Sequence, residues 1–272
     1  MRTISNVSLV ISDVDGTLLT KDKVLTARTQ AAVKAAQGAG IAFAITSGRP
    51  PRGMAMLIEP LTLTTPIGGF NGAIFVKPDM TVLEEHVFAI GCAAEAIEIM
   101  LENGLDAWVY TEADWLVRDP KAPHVEHEQS VVKFPPKVVA DLGEGIGKAV
   151  KVTGISDDHD AVARCEANLR RDLGTRASIV RSQTYYIDVT HPDANKGVVV
   201  GTLSRLLHVP TDRILTIGDM PSDTLMFRKS GVSVAMGNAE PEVKALAQFV
   251  TDSNEEEGFA KAIERFVFNR SP

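Results

Sequence analysis

Cysteine is nearly absent from this 272-residue sequence: Cys92 and Cys165 are the only two, and neither sits at metal-binding spacing. That excludes a disulfide framework and makes a reducing cytoplasm the natural setting. Long apolar runs are missing too. None approaches the roughly 20 residues of a membrane helix, and residues 1–6 lack the apolar stretch of a secretory leader. Nor is there an excess of positive charge. Lys and Arg number 28 against 35 Asp and Glu, a net charge of -7, which argues against a nucleic-acid surface. Internal repeats and low-complexity tracts are also lacking. What remains is the composition of a soluble globular protein, long enough for one large domain or two smaller ones, with neither membrane nor nucleic acid as a partner.

The chain is organised around residues 9–19, LVISDVDGTLL. A Val- and Ile-rich run bounded by Gly16 reads as a strand buried on both faces, as in parallel sheets covered by helices. Ligands sit beyond the carboxyl ends of such strands, which is where Asp13 and Asp15 fall. Two neighbouring carboxylates repel, and a hard cation with oxygen ligands offsets that repulsion. An EF-hand loop is excluded, because Leu18 stands where that loop needs glycine.

Helix and strand patterns alternate from there. Thr26 is placed to cap a helix over 27–39, and 41–45 is a second buried strand ending in Thr46-Ser47-Gly48-Arg49. Strand, helix and strand in this order form a right-handed crossover that brings Ser47 beside Asp13. From 82 to 188 the pattern changes to alternating runs such as Ala107-Trp108-Val109-Tyr110, interspersed with helices over 92–103 and 158–173. This stretch is expected to be an inserted α/β unit. The first style returns after Asp188, with a helix over 195–207, a buried strand over 213–217 and a helix over 221–229. The fold class is therefore α/β: a Rossmann-like parallel-sheet core from 1–81 and 189–272, with an insert at 82–188.

The buried strand at 214–217 runs into Gly218-Asp219-Met220-Pro221-Ser222-Asp223. Asp219 is positioned to complete a metal site with Asp13 and a carbonyl of Asp15, and Asp223 to orient its ligands. Magnesium suits such a set, since it takes a few carboxylates and keeps water or phosphate oxygens as its remaining ligands. Lys196 opens a helix, a position the helix dipole disfavours; an anionic site nearby supplies a reason. Ser47 and the Gly48 amide are suited to phosphate oxygens, while Arg49 could pair with phosphate or lock a carboxylate.

Four blocks, Asp13-Val14-Asp15-Gly16-Thr17, Ser47-Gly48-Arg49, Lys196-Gly197, and Gly218-Asp219 with Asp223, resemble the haloacid dehalogenase-like (HAD) phosphohydrolases in identity, order and spacing. The insert's position resembles the branch with an α/β cap. Asn71-Gly72-Ala73 and Ala235-Met236-Gly237-Asn238-Ala239 resemble its Cof-type sugar phosphatases. The resemblance implies that Asp13 is the nucleophile forming an aspartyl-phosphate. It implies that Asp15 is the general acid and then base, that Ser47, Gly48 and Lys196 hold the phosphoryl group, and that Asp13, Asp15 and Asp219 hold Mg2+. The expected activity is a cytoplasmic, magnesium-dependent phosphatase acting on a small phosphorylated metabolite, a sugar phosphate first. The alternatives are a sugar phosphomutase and a non-enzymatic phospho-aspartate switch. Ser222 departs from the family's usual Asn and bears on the surroundings of the metal. His124 and His127 with Glu126 and Glu128 hint at a second metal, but a polar loop is the plainer reading. Residues 143–148 lack the spacing of a phosphate loop and read as a flexible turn, and Tyr185 and Tyr186 as strand packing near the hinge.

Overall fold

The computed structural model describes residues 7–268; residues 1–6, read above for a leader, lie outside that range. Five strands open the chain: β1 (Leu9–Asp13), β2 (Ala42–Thr46), β3 (Ile67–Gly69), β4 (Ile74–Val76) and β5 (Val82–Glu85). Six follow: β6 (Asp106–Tyr110), β7 (Trp115–Val117), β8 (Lys137–Val138), β9 (Lys151–Ile155), β10 (Ser178–Gln183) and β11 (Tyr186–Thr190). The last three are β12 (Ile214–Gly218), β13 (Val232–Ala235) and β14 (Phe249–Val250).

They form two sheets. The first has the order β14-β13-β12-β1-β2-β3-β4-β5, parallel from β14 through β3 and antiparallel at β4 and β5. The second has the order β10-β11-β9-β6-β7-β8 and is antiparallel except where β7 meets β8.

Alternation along β1 shows why the first sheet needs two covers. Leu9 and Ile11 pack with Val199, Leu203 and Met226 on one side, whereas Val10 packs with Val33, Phe43 and Ile263 on the other. The cover on the second side comes from the helix Ala27–Gly38, capped by the Thr26 hydroxyl accepting from the Thr29 amide, and from the helix Gly258–Phe266. The cover on the first side includes the helix Lys196–Leu207. Successive side chains point to opposite faces, so apolar residues at both parities bury the strand completely.

The second sheet divides its faces differently. Ala107, Val109, Val152, Ile187 and Val189 pack on the helices Ile90–Glu102 and His159–Leu173. Trp108, Tyr110 and Tyr186, on the other parity, join the apolar cluster of the first sheet instead. Trp108 lies edge-on to Trp115 at 5.1 Å, and Tyr110 edge-on to Phe70 at 5.5 Å. Aromatic pairs of this kind contribute about 0.5–1.5 kcal/mol beyond their buried area.

The expected division at 81/82 needs correcting. A turn in which the Lys77 amide donates to the Thr81 carbonyl folds Val82–Glu85 back onto β4, so this strand belongs to the first sheet. At the far end the second sheet runs on through Thr190, two residues past the expected boundary at 188. The helix expected over 221–229 splits into a 3₁₀ turn, Pro221–Asp223, and a short helix, Thr224–Phe227. The Asp223 carboxylate accepts from the amides of Asp219 and Met220, which tightens that turn. The stretch read as a flexible turn contains one helical turn, Gly143–Ile146, and the polar stretch before it contains the helix Val125–Val132.

Candidate active site

Strands β1, β2 and β12 are adjacent and parallel, so the segments leaving their carboxyl ends converge. Asp13 ends β1, Ser47 follows β2, and Asp219 follows β12. Asp13, Asp219 and Asp223 each offer a carboxylate oxygen within 4.8 Å of the others, and all three are buried. Lys196 lies among them. Its Nζ donates to Asp13 Oδ1 and Asp223 Oδ1 at 2.5 Å each, the first contact spanning 183 residues of chain.

The local backbone is built for this closeness. Gly16 has φ +80°, a conformation that glycine alone adopts freely, and a Cβ there would lie 2.4 Å from Asp219 Oδ2. A Cβ on Gly218 would lie 2.4 Å from Asp223 Cγ. Both glycines are cradles for carboxylates. Asp219 is held further by the Thr17 hydroxyl, which donates to Oδ1 at 2.7 Å. The Asn238 amide donates to the Gly16 carbonyl at 2.9 Å and to Asp219 Oδ2 at 3.4 Å. Sequence reasoning gave neither Thr17 nor Asn238 a task. Their signal was present, since both lie in stretches picked out by resemblance, but the distance between those stretches hid the contact.

The electrostatics favour a divalent cation. Three buried carboxylates face a single ammonium, leaving two negative charges uncompensated. Burial pushes the Asp13 carboxyl well above its usual range; Lys196 opposes this, and the carboxylates of Asp223 and Asp219 add to it. Burial and the neighbouring Asp223 raise Asp219 to about 6 against the Thr17 hydrogen bond. Burial alone would lower Lys196, but Asp13 and Asp223 hold it above its usual range, as a cation. An all-oxygen donor set with an excess of two negative charges fits a hard divalent ion.

Asp15 stands apart from this cluster. Its carboxylate takes a bidentate pair from Arg49, with Nε to Oδ2 at 2.7 Å and Nη2 to Oδ1 at 2.6 Å, plus Lys23 Nζ at 2.6 Å. Burial would raise this carboxyl, yet the two cations hold it below the usual range. The Asp15 side chain is thus not a third carboxylate of the acidic cluster; Asp223 takes that place. The two uses left open for Arg49 resolve here into locking a carboxylate. Arg49 Nη1 also donates to the Val131 carbonyl at 3.1 Å, in the helix Val125–Val132 that lies over the site.

Ser47, Gly48 and Asn71 line the same cavity, about 600 Å³ in volume, as do Asp13, Asp15 and Lys196. Ser47 is buried and its hydroxyl accepts from the Arg49 amide at 3.2 Å. Ser222 reaches the rim. His124 stacks on Tyr185 at 4.2 Å and bonds Asp157 at 2.8 Å. His127 is exposed on the helix beside it.

A parallel sheet with a DxD at one strand end and a DxxxD at another, a buried lysine and a carboxylate cluster at one cavity defines a class of phosphate-handling hydrolase. Residues 10–263 match the haloacid dehalogenase-like hydrolases, and the chain belongs to that family. It is 26% identical over 267 residues to 5-amino-6-(5-phospho-D-ribitylamino)uracil phosphatase YitU of Bacillus subtilis, covering 95% of this chain and 97% of that protein. It is 27% identical over 238 residues to an HMP-PP phosphatase of Cronobacter sakazakii, covering 86% and 85%. The crystal structure of a haloacid dehalogenase-like hydrolase from Bacteroides thetaiotaomicron superposes with a TM-score of 0.88 at 26% identity, covering 95% of this chain and 99% of that one.

Proposed function

We propose that the protein is a magnesium-dependent phosphatase that hydrolyses a small phosphorylated metabolite, a sugar phosphate in the first instance, through an aspartyl-phosphate on Asp13. The observation that carries this reading is the buried Lys196 bridging Asp13 and Asp223 beside Asp219. Such a lysine holds Asp13 in place and adds positive charge where phosphoryl oxygens would lie. The relatives named as phosphatases support the reaction class.

In the first step Asp13 attacks phosphorus, the bond to the leaving oxygen breaks, and that oxygen takes a proton from Asp15. In the second, Asp15 accepts a proton from water, which attacks the aspartyl-phosphate and releases phosphate. Ser47 and the Gly48 amide would hold phosphoryl oxygens together with Lys196. Asp13, the Asp15 carbonyl and Asp219 would hold the Mg2+, with Asp223 behind them; when bound, the ion neutralises charge on the phosphoryl group. The pairing of Asp15 with Arg49 and Lys23 favours the carboxylate, the form that activates water. Loosening one of those pairs lets Asp15 take the proton that the first step requires. The second sheet and its helices act as a cap that shields the reaction from bulk water and selects the leaving group. Its limits then follow the strands, starting after β5 and ending at β11, rather than residues 82 and 188.

The test is phosphate release from a panel of phosphorylated metabolites, with magnesium and with chelator, for the wild type and for Asp13→Asn. The expected result is turnover that depends on magnesium and a loss on the order of 10³-fold or more in the variant, as for nucleophile knockouts generally. Activity retained in a folded Asp13→Asn protein sinks the assignment. Conversion of a sugar phosphate to its isomer without free phosphate points to a mutase instead.

A further inference from the structure

The face of the second sheet opposite the helices Ile90–Glu102 and His159–Leu173 carries an unusual load. Period-two alternation puts Trp108, Tyr110, Lys151, Thr153, Tyr186 and Asp188 on one side, and this side looks into the cavity. Lys151 is 5% exposed, too buried to be an ordinary surface lysine. Its Nζ pairs with Asp188 Oδ1 at 3.1 Å and lies 4.4 Å from the centre of the Tyr110 ring. Asp188 also accepts from the hydroxyls of Thr153 and Ser182, each at 3.0 Å. Beside this group, Glu128 Oε1 accepts from Tyr110 at 2.5 Å and from Tyr186 at 3.4 Å. Glu128 Oε2 has no hydrogen-bond partner among the described residues.

The charge balance of this wall is informative. Every lysine and arginine lining the cavity already has an acidic partner: Lys23 and Arg49 have Asp15, Lys151 has Asp188, Arg181 has Glu166, and Lys196 has Asp13 and Asp223. Among the described residues Glu128 has only hydroxyl partners. A second anionic group on a substrate would find, among the described residues, no uncommitted guanidinium or ammonium at this wall and would face the Glu128 carboxylate. Uncharged hydroxyls fit: they donate to Glu128 Oε2 and to the spare lone pair of Asp188, and Ser182 can complement them. Desolvated carboxylates discriminate strongly between a donor that satisfies them and an anion that repels them.

We infer that the Lys151–Asp188 and Glu128–tyrosine clusters form a leaving-group subsite that selects phosphomonoesters of uncharged, hydroxyl-rich alcohols and rejects substrates with a second anionic group. This inference rests on the proposed phosphatase reading and adds to it the charge class of the leaving group. Two substrates that share a six-carbon chain test it: sorbitol 6-phosphate and fructose 1,6-bisphosphate. Phenyl phosphate serves as a third, with no hydroxyls to read.

Wild-type protein with magnesium is expected to favour sorbitol 6-phosphate over the bisphosphate by about tenfold or more in kcat/KM. Glu128→Gln keeps the size and the tyrosine contacts but removes the charge, so the preference should shrink by about tenfold. Asp188→Asn should lower the ratio of sorbitol 6-phosphate to phenyl phosphate. A wild type that prefers the bisphosphate, or ratios unmoved in both variants, overturns the inference. Calorimetric binding of both sugar esters to Asp13→Asn reads the same selectivity without turnover. Failure to hydrolyse even phenyl phosphate therefore sinks the phosphatase reading alone, while tighter binding of the bisphosphate sinks the subsite.

Discussion

The two sheets handle polar side chains in opposite ways. In the first, the charged residues of the central strands gather at the carboxyl ends, while the strand bodies are apolar on both faces except for single hydroxyls such as Thr216 and Ser233. Asp13 ends one fully buried strand and Asp219 follows another. In β9 and β11 of the second, polar groups lie along the strand bodies, on one face: Lys151, Thr153 and Asp188 alternate with Val152, Ile187 and Val189. The difference follows from cover. A parallel sheet clad by helices on both faces has only its ends free for chemistry. An antiparallel sheet with its two longest helices on one face can offer part of the other face to a ligand. One architecture holds a reaction at a point, and the other reads a shape.

The largest effect expected to sharpen this comparison, beyond the loss of Asp13, lies at Asp15. Asp15→Asn should lower turnover of an alkyl phosphate by about 10²–10⁴-fold, the usual range for general acid–base catalysis, and lower that of an aryl phosphate much less, because a good leaving group needs no proton. Equal losses on both, measured by steady-state kinetics, would remove the acid role.

Next comes the seam between the sheets. Trp115 is fully buried and stacks beside Tyr110 at 5.9 Å, within the apolar cluster that both sheets share. Trp115→Ala should cost about 3–5 kcal/mol, read as a lowered denaturant midpoint of a single transition. Two separate transitions, with only one displaced, would show that the sheets fold independently.

The smallest effect concerns pH. Asp219 is raised to about 6, whereas an unfolded carboxyl titrates near about 3.9. The folded state therefore binds this proton more tightly, and stability falls as pH rises across that interval. Melting temperature in chelator should drop between about pH 4 and pH 6, and magnesium should remove the drop. Asp15 acts with the opposite sign: its lowered pKa makes its ion pairs stabilising above the usual carboxylate range and lost only at more acidic pH. A flat curve in chelator would mean that the acidic cluster carries no excess charge to relieve.

Much of the first sheet was legible in the sequence because each signal was local. A Val- and Ile-rich run, Gly16, and the cap at Thr26 each act within a few residues, and the identities of Asp13, Lys196, Asp219 and Asp223 are readable beside them. The edge strand at Val82–Glu85 was misjudged because its partner is set by a turn at residues 77–81, not by its own composition. Arg49 was ambiguous because a guanidinium suits phosphate and carboxylate alike; only the position of Asp15 resolves it.

By itself the sequence determined the strand-and-helix order of the core and the residue types that could meet at its strand ends, since burial pattern and steric freedom are properties of short segments. Tertiary structure alone decided which carboxylates share Lys196, which one Arg49 claims, and which face of the second sheet turns its lysine and acids inward. Those outcomes depend on distances between segments up to 183 residues apart, and electrostatic energy follows distance and burial rather than position along the chain.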